Sequence, residues 1–357
     1  MSALRTAALP LALLALATAG PAQVTEDSAP AGVSPAQAQP QVDLERELAA
    51  VAEIDAFVAQ RKGAPPREQE AAMAFFREYR DGMLALEAKH HGTWAGWQAL
   101  MTAGQLESRI FGDPEGAILD YRRVWEGVRH RTDTPVKGIF LNVPRVGLRF
   151  AEALMREDLL EEAERVLREA VNTTLPERER IQERLLELPE RRRLLPGKPA
   201  PAFEAADFSG AGHSLAAYRG QTLLLHFWSG INGPSLSTMP EIAALVKENA
   251  GKEFRILSIN VDPHVTPEDH ERMKAAGQNY LPRLFKADDL RQMIDRHQLS
   301  WPVVWDGLGM ESPLVKSYSI KNLPGLYLIG PDGLIRARNK RGDRLRAAVA
   351  QVLAEKL

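Results

Sequence analysis

The chain has 357 residues, enough for about two ordinary domains, with 45% hydrophobic and 26% charged residues and a formal net charge of -2. That balance excludes a global excess of either sign, so no nucleic-acid partner is expected. The complete absence of cysteine excludes disulfide bonds, thiolate nucleophiles and thiolate metal ligands together.

Residues 1–19 have the three parts of a secretory signal: Arg5, an apolar run from Ala7 to Ala17, and the small-residue sequence Ala17-Thr18-Ala19. The expected product is exported, periplasmic or secreted, with its first residue near Gly20 or Gln23. No other stretch approaches the roughly 20 apolar residues of a spanning helix, so no transmembrane segment is expected. Residues 20–41, including QVTEDSAPAGVSPAQAQPQ, have almost no large apolar side chain and read as a flexible linker.

From 42 to 195 apolar residues recur three and four apart, as in LERELAAVAEIDAFVAQ, which predicts an all-helical domain. Ala117, Tyr121 and Trp125 match Ala163, Leu167 and Val171 at one spacing, as in helical-hairpin repeats or as in an ordinary bundle. Trp94, Trp97 and Trp125 suit its core, or the lining of a groove. Adjacent His90 and His91 on a helix point to different faces, which argues against a shared metal. The segment PERERIQERLLELPERRRLL reads as a solvated helix ending in Arg191, Arg192 and Arg193, where positive charge suits the backbone dipole.

From 196 to 357 strands alternate with helices. The strand-like runs are TLLLHFW (222–228), FRILSINVD (254–262), WPVVWD (301–306), GLYLIG (325–330) and LIRARN (334–339), the last two joined by a turn at Pro331 to Gly333. Helices are expected over 235–249, 287–297 and 341–355. The fold class is therefore α/β, a mixed sheet flanked by helices behind an all-α domain. His226, inside an apolar strand, reads as a hydrogen-bonded core histidine. The stretch around His264, Asp269 and His270 reads as a loop and helix cap rather than a ligand set. No metal or cofactor is expected. The basic run from Arg336 to Arg346 reads as solvated faces. A serine hydrolase on Ser235 and His226 would lack the context of a nucleophile elbow.

Several stretches in order then carry a likeness: GKPAPAFEAADFSGAGHSLAAYRGQTLLLHFW, INGPSLSTMPE, WPVVWDG and YSIKNLPGLYLIGPDGLIRARNKRG. Over residues 197–357 the chain resembles the thioredoxin-like TlpA/ResA group of the redoxin superfamily, which implies a thioredoxin fold. In active members the site reads Trp-Cys-Gly-Pro-Cys. The resemblance places Ile231 at the tryptophan, Asn232 at the nucleophilic cysteine and Ser235 at the resolving cysteine, with Gly233 and Pro234 retained. It places Leu323-Pro324 at the cis-proline step whose backbone edge holds an extended peptide, and Trp228 at the strand end beneath the site. His226 falls where ordinary thioredoxins keep a buried carboxylate. Around Val265 to Phe285 the chain departs from the family by roughly one added helix.

The family's chemistry needs a thiolate of lowered pKa and a second thiol. Asn232 and Ser235 supply neither, so no catalytic residue is assigned. Asn is instead among the best N-cap residues, and Pro suits the first helical turn, so Asn232-Gly233-Pro234-Ser235 should keep the helix start, with Ser235 capping or facing solvent. The expectation is a redox-inactive, exported thioredoxin-like protein that binds a protein or peptide at a cleft formed by Trp228, Ile231, Leu323 and Pro324. The alternatives are a thiol-disulfide oxidoreductase relative with a partner-assisted or residual redox role, and a function seated in the helical domain. The sequence assigns neither a ligand nor an oligomeric state.

Overall fold

A computed structural model describes residues 43–355 apart from 62, 134, 172–176 and 278–283. The signal sequence and linker read at 1–41 lie outside the described residues. The chain divides into two compact units, one ending at Leu186 and the other beginning at Glu187.

The first unit is built of α1 (Leu44–Gln60), α2 (Gln69–Lys89), α3 (Trp94–Leu106), α4 (Pro114–Val128), α5 (Val143–Arg156), α6 (Leu160–Ala170) and the start of α7 (Glu177–Arg193). Asp43, Thr93, Asp113 and Asn142 each cap a helix by accepting a backbone N–H with the side chain, worth about 1 kcal/mol apiece. Glycine lets the helices approach: a Cβ at Gly127 would fall 2.3 Å from the Trp97 ring, and one at Gly147 2.6 Å from Ala170. Trp94, Trp97 and Trp125 are all buried, as are Ala117, Tyr121, Ala163 and Leu167. His90 and His91 turn to different acids, Nε2 of the first to Glu53 and Nδ1 of the second to Glu87, each at 2.7 Å.

The second unit is a five-stranded sheet in the order β5-β4-β3-β6-β7. The strands are β3 (Thr222–Trp228), β4 (Phe254–Asn260), β5 (Val303–Val304), β6 (Gly325–Ile329) and β7 (Ile335–Arg338). β3, β4 and β5 run parallel; β6 and β7 are antiparallel additions. Every residue of β3 is buried, because the strand is central and covered on both faces. Leu223, Leu225 and Phe227 enter one core, with Tyr318 and Leu194. Leu224 and Trp228 enter the other, against Met239, Ile242 and Leu245 of α8 (Gly233–Glu248) and Leu345, Val349 and Val352 of α12 (Asp343–Ala354). This is a thioredoxin fold behind a helical region. The last turns of α7 belong to it: Leu194 lies in its core and Arg193 donates to the Ser317 carbonyl.

Two features differ from the sequence expectation. The third strand-like run shrinks from 301–306 to Val303–Val304, since β5 is an edge strand whose flanks turn away. A short hairpin, β1 (Glu204–Ala206) with β2 (Gly212–Ser214), was not anticipated. Asp207 closes it, accepting from the Ser209 and Ala211 amides and pairing with His213 at 2.9 Å. Burial pushes this carboxyl up, but the hydrogen bonds outweigh it and hold the pKa at about 2. The added helix is α9 (Pro267–Ala275), opened by a capping box in which Thr266 and Asp269 bond each other's backbone N–H. α10 (Ala287–Arg296) and α11 (Pro313–Ser317) complete the unit.

His226 has no exposed surface. Its Nδ1 lies 3.1 Å from Ser258 Oγ, which also accepts from Trp301 Nε1 at 2.7 Å. Burial, reinforced by the Arg341 guanidinium, pushes the His226 pKa down to about 3. The unfolded chain therefore takes up this proton first, and the stability held above pH 6.5 drains away as pH falls toward 3, by roughly 5 kcal/mol across the window. Urea unfolding over pH 3–7 should show that slope in the native chain. It should be flatter by a comparable amount in His226→Gln, whose side chain takes up no proton there.

Candidate functional site

β3 delivers the chain to the site and α8 leads it away. After Trp228 the backbone turns through Ser229, Gly230 and Ile231 to Asn232, which takes an extended conformation (φ -102, ψ 110) and caps α8. Asn232 Oδ1 accepts two bonds from one residue, the Ser235 amide at 2.9 Å and the Ser235 hydroxyl at 3.0 Å. Gly233 and Pro234 occupy the first turn, where proline's missing N–H costs nothing. Ser235 is wholly buried and does not face solvent; its hydroxyl donates to the cap residue Asn232. Its proton is directed to Asn232 and no base stands beside it among the described residues.

The turn is held from below by Asp262, just past the end of β4. This carboxylate is 1% exposed. It accepts from Ser229 Oγ at 2.5 Å, from the Gly230 amide at 2.6 Å and from Asn260 Nδ2 at 2.8 Å. The Ser229 hydroxyl in turn accepts from the Ile231 amide at 3.2 Å. Gly230 lets the Met293 side chain approach, since a Cβ there would fall 2.1 Å from Met293 Sδ. The Trp305 indole donates to the Asp262 carbonyl at 2.7 Å.

Opposite the turn, β6 is preceded by a cis Leu323-Pro324 bond. The register pairs Phe227 with Gly325, so the next step sets Pro324 beside Trp228 at the end of β3. Of the four residues expected at the cleft, the register brings Trp228 beside Pro324, and the four differ in exposure. Ile231 is 48% exposed and Leu323 is half-buried, whereas Trp228 has no exposed surface and Pro324 is buried. Trp228 is therefore a floor beneath the site and cannot touch a surface ligand. Among the described residues no hydrogen bond engages the Leu323 backbone, while the Pro324 carbonyl accepts from Arg341 at 3.0 Å.

Sequence reasoning missed Asp262, Ser229 and Asn260. The available signal was Asn260-Val261-Asp262, polar residues closing an apolar strand that lies beside the motif-bearing one. Asp262→Ala would leave three buried donors without their acceptor, each costing about 1–3 kcal/mol. Chemical denaturation should show a loss of about 3–5 kcal/mol, with an intact fold at the temperature where native and variant are compared by circular dichroism.

Residues 196–338 match the model of the AhpC/TSA family. A thioredoxin-like protein of Bacillus subtilis, YneN, is 25% identical over 140 residues, which are 39% of this chain and 68% of that protein. A solved thiol-disulfide oxidoreductase from Bacteroides fragilis is 27% identical, with a TM-score of 0.36, covering 43% of this chain and 98% of its own. The thioredoxin domain of a Bacteroides vulgatus thiol-disulfide oxidoreductase is 23% identical, with a TM-score of 0.36, covering 45% and 99%. The carboxy-terminal unit of the chain thus has a thioredoxin fold, is similar to the AhpC/TSA family over residues 196–338, and carries no cysteine.

Proposed function

We propose that this chain is an exported, redox-inactive thioredoxin-like protein that binds an extended protein or peptide segment beside the Leu323-Pro324 step. The observation that carries the reading is the replacement of both sulfurs by a self-contained cap. Asn232 and Ser235 satisfy each other, so the turn keeps its shape with no group left to exchange electrons. Beside it, the Leu323 N–H and C=O are available to an added strand, the mode by which exposed backbone edges recognise extended chains. Ile231 offers the adjoining apolar contact.

The family favours a second reading, a redox role completed by a partner's thiols, and one measurement separates the two. Reduction of insulin by dithiothreitol should proceed no faster with the purified chain than without it. The double variant Asn232→Cys, Ser235→Cys should accelerate it, because the thiols would stand at a helix N-terminus that favours the thiolate. Acceleration by the native chain would overturn the inactive reading. For binding, fluorescence anisotropy with cysteine-free extended peptides should detect saturable association, weakened about tenfold in Ile231→Asp, the order expected from losing one buried apolar side chain.

A further inference from the structure

We infer that the helical unit carries a binding site for a phosphate group, formed by Arg109, Arg149 and Arg156 around the hydroxyl of Tyr121. Tyr121 of α4 is 4% exposed. Its ring packs against Gly104, where a Cβ would fall 2.8 Å from Tyr121 Cε1. Beyond Gly104, α3 runs into a single π-turn, Glu107–Phe111, a rare conformation that recurs at functional sites and here carries Arg109. On its other side α4 packs antiparallel to α5: a Cβ at Gly147 would fall 2.9 Å from the Trp125 ring, and the Arg122 guanidinium lies 5.8 Å from the centre of the Phe150 ring. That register sets Tyr121 against the stretch of α5 from Arg149 to Arg156. Arg156, Arg149 and Arg109 all act electrostatically on the one hydroxyl.

None of these four side chains has a hydrogen bond or an ion pair among the described residues. For Arg109 and Arg156, which are exposed, water suffices. Arg149 is half-buried, and a guanidinium withdrawn from water is ordinarily matched by a carboxylate. Burial and the like charges of Arg109 and Arg145 push it below the usual arginine range, against the pull of Tyr121 and Glu152. The nearby acids serve other groups: Glu107 pairs with Arg80 at 3.0 Å, Asp113 caps α4, Asp120 lies 3.8 Å from Arg123, and Glu152 lies 3.1 Å from Arg184. Glu157 and Asp158, which follow Arg156, are likewise engaged. Burial pushes the Tyr121 hydroxyl up, so it keeps its proton and can donate. Three guanidinium forks and one O–H donor, all lacking an acceptor, match the charge and the several oxygens of a phosphate dianion. A carboxylate, with a single charge and fewer oxygens, would leave donors unmet.

Isothermal titration of the full chain with inorganic phosphate at about pH 8, against sodium chloride of equal ionic strength, is expected to show saturable binding of phosphate and none of chloride. Arg149→Leu should weaken that binding about tenfold or more, and Tyr121→Phe about threefold to tenfold. Arg149→Leu should also hold or raise the melting temperature of the ligand-free chain, because it removes a half-buried charge that has no counter-ion. A merely structural arginine would lower the melting temperature and leave the phosphate affinity unchanged. Arg156→Gln alters an exposed position without touching the core, and should weaken binding about threefold or more. Sedimentation with vesicles containing phosphatidic acid, a phosphate monoester, and not with phosphatidylcholine vesicles would place the phosphate on a lipid headgroup. Phosphate binding without sedimentation would make it a free ion. Absence of saturable phosphate binding, or binding that Arg149→Leu and Arg156→Gln leave unchanged, would overturn the inference.

Discussion

The carboxylate of Asp262 is the constraint on which the site depends. A strand that ends in the middle of a sheet must release its chain into a turn whose amides have lost their ladder partners. Here one buried acid collects those donors, from Ser229, Gly230 and Asn260, and fixes the path to Asn232. None of these bonds involves Asn232 or Ser235. The frame of the motif is thus separable from its chemistry. A chain can lose both cysteines and still present the same turn, because the turn is built by groups outside them.

The residues now at those two positions do structural work of their own. An asparagine oxygen that accepts two bonds at the mouth of α8 satisfies donors that any helix start leaves open. In an active redoxin the same helix start lowers the pKa of a thiolate; here its partial positive charge falls on a neutral amide and stabilises the helix alone. The exchange converts a reactive N-terminus into a closed one. What remains open is the adjoining surface, with Ile231 half-exposed and the Leu323 backbone unengaged.

β3 was legible because Leu223 to Leu225, Phe227 and Trp228 make a short, nearly continuous apolar run, the pattern of a doubly covered strand, and the cap at Asn232 because its type and spacing before Pro234 are local properties. His226 could be read as a core residue for the same reason. The β1–β2 hairpin escaped because its strands are three residues each, too short for alternation to register. Asp262 escaped because its meaning lies in Ser229, 33 positions away, a contact created by parallel pairing of β3 with β4. Trp228 was placed at the correct strand end, but whether a strand-end indole faces the cleft or the core depends on packing from α8 and α12 that the sequence does not show.

The surroundings also argue against a different catalytic chemistry having replaced the old one. Ser235 spends its proton on Asn232, and Ser229 spends its own on Asp262. A hydroxyl nucleophile needs a base free to accept that proton. Asp262 already accepts from three donors, and the buried His226 is paired with Ser258 on the neighbouring strand β4. The Ser229 and Ser235 hydroxyls are thus committed to holding the turn and the start of α8.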